Sequence, residues 1–197
     1  MHSHGQMIHR IGFGLLVAIL AAGCQSPEQP RIELTESQKE QLQPFLLDDT
    51  PQPDHQINVE YENQIRLLGV DVDGDVDRGE QVEMTWYWKA LEDINADWQI
   101  FVHFDSEESQ FRQNLDHFPV GEELNDSFRT YHWEEGEIIA DVHRFSVNDE
   151  YPEGEAVFYV GLFRGETRAE VTSDGPTTDD DRAIGPRVDI SAAAGEQ

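Results

Sequence analysis

Four features of this chain carry reactive groups: a lone cysteine, a run of alternating aspartates, four histidines near two aspartates, and a large surplus of carboxylates. Cys24 is the only cysteine. The small residues Ala21, Ala22 and Gly23 precede it and suit a peptidase pocket, and its thiol is the nucleophile open to a diacylglyceryl group. Asp71-Val72-Asp73-Gly74-Asp75-Val76-Asp77 alternates carboxylates as the start of a calcium loop does, but the register fails. Counting from Asp71 puts Val76 where the loop needs glycine and Val82 where it needs glutamate; counting from Asp73 puts Arg78 and Met84 there. A strand end and turn with outward carboxylates is expected instead. His103, His117, His132 and His143, with Asp116 and Asp141, lack the close ligand spacing of a zinc site. They are expected to be scattered and hydrogen-bonded, so no metal ligand is assigned.

Catalytic motifs are missing. The chain has no Gly-x-Ser-x-Gly elbow, Walker loop or dinucleotide fingerprint, so no catalytic residue and no cofactor are expected. Paired carboxylates for glycoside hydrolysis carry no weight, because 41 acidic residues always offer a pair. Trp86, Tyr87 and Trp88 suggest a sugar platform. Strand alternation, however, turns both tryptophans inward and leaves only Tyr87 outside.

The N-terminus reads as an address. One firm positive charge, Arg10, precedes the apolar run 11–20, and small residues lead to Cys24. This is the order of a secretory signal. As a helix the run rises only about 15 Å, half of a hydrocarbon core. Leu20-Ala21-Ala22-Gly23-Cys24 resembles a bacterial lipobox, with Ala21 where leucine is commonest. The resemblance implies cleavage between Gly23 and Cys24, lipidation of Cys24, and anchoring by several acyl chains. Gln25 after the cysteine, where an aspartate would signal otherwise, implies the outer membrane.

The whole chain has 13 basic residues against 41 acidic, a net charge of −28, and cleavage would remove Arg10 as well. Such a field repels phosphate backbones, which excludes nucleic-acid binding. With Cys24 lipidated no disulfide remains, so the fold must stand on its hydrophobic core. Prolines 27, 30, 44, 51 and 53 mark residues 24–57 as a tether. It contains one short helix over 35–47, with Thr35 as N-cap and Glu36 in the first turn. From Asn58 onward the period is two. Val82, Met84, Trp86 and Trp88 share one face, as do Trp98, Ile100, Val102 and Phe104, with Phe101, His103 and Asp105 opposite. Further strands are expected over 64–72, 111–117, 137–147, 156–163 and 187–190, separated by turn signals such as Asp73-Gly74 and Arg164-Gly165. The reading is an all-β fold: an immunoglobulin-like antiparallel β-sandwich of seven to eight strands over 58–191, before a tail at 192–197.

Several short pieces occur in order over 64–164: Tyr87-Trp88-Lys89-Ala90, Phe101-Val102-His103, Asp116 with Pro119 and Gly121, Trp133-Glu134-Glu135-Gly136-Glu137 with Asp141, and Gly154 with Val160-Gly161-Leu162-Phe163. Together they resemble an immunoglobulin-like sandwich that follows the membrane region of some mannosyltransferase-like glycosyltransferases and stands alone in lipoproteins. Phe163 replaces the usual tyrosine, and 122–131 lacks the family's proline-threonine pair. The resemblance implies a fold and a compartment and carries over no catalytic residue. The function expected is a non-enzymatic binding or assembly module of the cell envelope, held to the membrane by its anchor and facing an envelope protein or glycan. The alternatives are a carbohydrate-binding module, with or without calcium, and an envelope hydrolase using paired carboxylates.

Overall fold

The computed structural model describes residues 32–192. The expected leader, its expected cleavage site at Gly23 and Cys24, the first part of the expected tether and residues 193–197 of the expected tail lie outside the described residues. Helix α1 (Glu36–Leu42) begins where the capping signal placed it. The Thr35 hydroxyl accepts the Gln38 N–H, and the Gln38 side chain accepts the Thr35 N–H at 2.9 Å. It ends earlier than expected, in a 3-10 turn at Gln43–Phe45 that contains Pro44, a residue with no N–H to continue the helix. Leu42 is buried in the core and Leu46 bridges Ile139. This part of the expected tether therefore lies against the strands. None of the described helices is long and apolar enough to cross a membrane.

The rest is a β-sandwich. A four-stranded sheet has the order β1 (His55–Tyr61), β2 (Ile65–Asp71), β4 (Gln81–Ala90), β7 (Ile138–Ser146). A six-stranded sheet has the order β3 (Asp75–Asp77), β10 (Ala183–Ser191), β8 (Gly154–Arg164), β5 (Gln99–Ser106), β6 (Arg112–Asn114), with β9 (Thr167–Arg168) paired to β8. Every pairing is antiparallel except β3 with β10. Strands β1, β3 and β9 go beyond those expected. The expected 111–117 strand is reduced to three residues, Arg112–Asn114, with His117 returning to bridge Ile100.

The two period-two rows meet between the sheets. Met84, Trp86 and Trp88 from β4 and Ile100, Val102 and Phe104 from β5 are each fully buried. Trp86 meets Phe158 edge-on at 6.3 Å, and Phe158 stacks on Phe104 at 4.3 Å. Burying such side chains contributes roughly 1.5–3 kcal/mol each, which lets the fold hold without a disulfide. Tyr61 crosses the interior and donates its hydroxyl to the Val160 carbonyl at 2.9 Å, tying β1 to β8.

Candidate functional site: two histidine–carboxylate clusters

The histidines are not scattered. The fold gathers three of the four into two clusters, one between the sheets and one on the outer face of the six-stranded sheet. His132 stands apart, accepting the Arg129 N–H on Nδ1 and donating Nε2–H to the Ile32 carbonyl.

The inner cluster begins with register. Trp86 pairs with Asp141 and Met84 with His143, so both β7 residues share the inward face of their tryptophan and methionine partners. Asp141 is fully buried. One carboxylate oxygen accepts the Val120 N–H at 2.7 Å, and the other meets His117 Nε2 at 2.9 Å. His117 Nδ1 donates to the Leu115 carbonyl at 2.8 Å. Both ring nitrogens thus face acceptors, which calls for a proton on each and makes the ring an imidazolium. Burial works against that charge, but the Asp141 carboxylate and the Leu115 carbonyl outweigh it and hold His117 above its ordinary value. His143 stacks on His117 with centroids 4.1 Å apart. Burial, and then the neighbouring His117 charge, push its pKa down to about 4, so it stays neutral. The cluster fastens the β7 edge to the turn after β6. It also pins Val120, a β-branched residue held at φ 53°, where such residues are strained. Every polar atom of the Asp141–His117 pair has a partner inside the protein, which describes a clasp.

The outer cluster is built differently. On β5 the residues facing away from the core are Phe101, His103 and Asp105; their partners on β8 are Gly161, Tyr159 and Val157. Phe101 lies across Gly161, where an added Cβ would come within 2.5 Å of its ring, so only glycine fits beneath it. The β8–β9 hairpin brings Phe163 to 6.3 Å from Phe101, at 56°, and sets the Arg168 guanidinium 5.0 Å from the Phe101 centroid. Between them opens a cleft of about 160 Å³, lined by Phe101, His103, Asp116, Phe163, Glu166 and Arg168. Asp116 accepts the Val102 N–H at 3.2 Å, and Arg168 is held by Asp180 at 2.7 Å. His103 Nδ1 is buried with no hydrogen-bond partner among the described residues. Burial, aided by the Arg112 charge, holds His103 below its ordinary value, so the ring is neutral and able both to donate and to accept.

Trp86 and Trp88 are fully buried, and Tyr87 donates to Asp71 at 2.7 Å. The aromatic surface therefore lies on the opposite sheet from the Trp-Tyr-Trp sequence. In the aspartate run, Asp71 is engaged by Tyr87 and the Asp54 N–H, while Asp75 and Asp77 form β3. Among the described residues no three His, Cys, Asp or Glu side chains converge as metal ligands.

No protein-family model matches the chain. No curated protein matches it either. Several solved structures are similar to it in outline. One is a Niemann-Pick type C2 protein from the Japanese carpenter ant, with TM-score 0.43 and 9% identity over 68% of this chain and 97% of that one. Another is the C-terminal domain of wzt, with TM-score 0.47 and 10% identity over 73% and 84%. A third is the CARDB domain of a Pyrococcus furiosus protein, solved in complex with di-metal ions, with TM-score 0.36 and 8% identity over 73% and 95%.

Proposed function

We propose that this chain is a lipid-anchored, non-enzymatic binding module of the bacterial cell envelope, carrying its ligand site on the outer face of the six-stranded sheet. The observation that carries the site is the cleft around His103. Aromatic walls and charged side chains share that cleft, the mixture with which ligand sites hold and orient a small molecule. The anchor rests on the Leu20-to-Cys24 sequence. The resemblance to sandwiches of mannosyltransferase-like glycosyltransferases and lipoproteins supports the same address. An outer-membrane position follows from Gln25, and an acidic surface suits a module standing off an anionic membrane.

Intact mass of the membrane-extracted protein tests the anchor. The expected mass is that of residues 24–197 plus acyl groups, lost in Cys24→Ser. An unmodified chain in the soluble fraction would contradict it. Steady turnover of glycosides or esters by the purified protein would contradict the non-enzymatic reading.

A further inference from the structure

Resting on that reading, we infer that the His103 cleft takes one ring of a neutral glycan, whose chain continues along β5 into a second cleft. Size comes first. At about 160 Å³ the cleft falls below the roughly 300–1,000 Å³ of sites for drug-sized ligands, and suits a single small ring. Its walls come next. Phe163 is half-buried and tilted against Phe101, so the cleft offers an apolar surface against which the C–H face of a pyranose would lose its water.

The polar lining then selects among ligands of that size. Asp116 and Glu166 supply acceptors and Arg168 supplies donors, with the neutral His103 ring beside them. Mixed donors and acceptors around an apolar wall match hydroxyl groups, which also donate and accept. A phosphate or uronate would meet the Asp116 and Glu166 carboxylates within a chain of net charge −28. A cationic ligand would meet Arg168 at the mouth. A neutral polyol meets neither penalty.

Continuation follows from strand alternation. Asp105 lies two residues beyond His103 and shares its outward face. There a second cleft of about 370 Å³ opens, lined by Asp105, Ser106, Ser109, Gln110, Phe111 and Arg112. Its serine and glutamine groups again suit hydroxyls. Arg112 and Asp105 in this lining are paired by two hydrogen bonds, each at 2.6 Å.

The test uses the full chain, extracted from membranes in detergent, on an array of neutral and acidic glycans, with glucuronate and inorganic phosphate as competitors. Phe163→Ala removes the wall. Glu166→Ala, in the β8–β9 turn, removes an acceptor without touching the core. Wild type is expected to be retained on neutral glycans and each variant to bind at least tenfold more weakly with an unchanged melting temperature. Neither anion should compete. Cleft-dependent retention on acidic glycans alone would overturn the neutral-glycan inference and leave the binding-module reading standing. Retention that both variants preserve, or none on any glycan, would overturn the inference and also remove the cleft as a binding site.

Discussion

Two histidine–carboxylate clusters sit in this molecule, and they differ in how completely their polar atoms are matched. At the clasp, both His117 nitrogens and both Asp141 oxygens have partners within the fold. At the cleft, a buried His103 nitrogen has none among the described residues. The same residue types thus stand in two settings. Complete internal pairing locks the buried cluster, whereas the outer cluster lines a surface cleft and leaves one buried nitrogen unmatched. Proximity of histidine to carboxylate does not distinguish the two; the state of each lone pair and proton does.

The largest effect expected from breaking this contrast is at the clasp. Asp141→Ala leaves the Val120 N–H and the His117 charge unpaired in the interior, and should lower stability by about 3–5 kcal/mol in chemical denaturation. A loss under 1 kcal/mol would show that the pair is not fastening the sheets. The next effect is a pH response. His143 is neutral in the fold down to about pH 4, while the unfolded chain takes up that proton near 6.5. Its contribution is present above 6.5 and falls as pH drops from there to about 4, by about 3 kcal/mol. His143→Phe should flatten that part of the stability profile. His117 acts in the opposite direction: its folded value is raised, so its contribution is complete below about 6.5 and is lost as pH rises through the folded value. An unchanged profile in His143→Phe would place the acid sensitivity elsewhere.

At the cleft, Phe163→Ala should change stability by less than about 1 kcal/mol, because the ring is only half-buried. A loss as large as that of Asp141→Ala would make the outer cluster structural too and erase the contrast. The smallest effect is general. With a net charge of −28, raising the salt concentration should raise the melting temperature by a few degrees through screening of self-repulsion, in wild type and variants alike.

How much of this was legible in the sequence depends on the range of the interaction. The Val82-to-Trp88 row and the Thr35 cap are local, set by period two and by a three-residue spacing, and both are found as read. Phe101 sits inside the apolar run Ile100-Phe101-Val102, where alternation gives its face but not its neighbours. Its place in a cleft depends on pairing with Gly161 and on the β8–β9 hairpin, sixty residues away. The clasp was missed for a similar reason. His117, in the turn after β6, and Asp141, on β7, lie 24 residues apart, and nothing local marks Val120 for a left-handed backbone. Strand β3 was hidden because three residues of an acidic turn pair in parallel with the far end of the chain.

Retention on neutral glycans separates the outer cleft, as the proposed binding surface, from the inner clasp. Wild type, Asp141→Asn and Phe163→Ala full chains would be compared for retention, each checked for folding by circular dichroism. Wild type and folded Asp141→Asn are expected to be retained while Phe163→Ala runs through. Retention of Phe163→Ala, or passage of all three, would overturn the assignment of binding to the outer cleft.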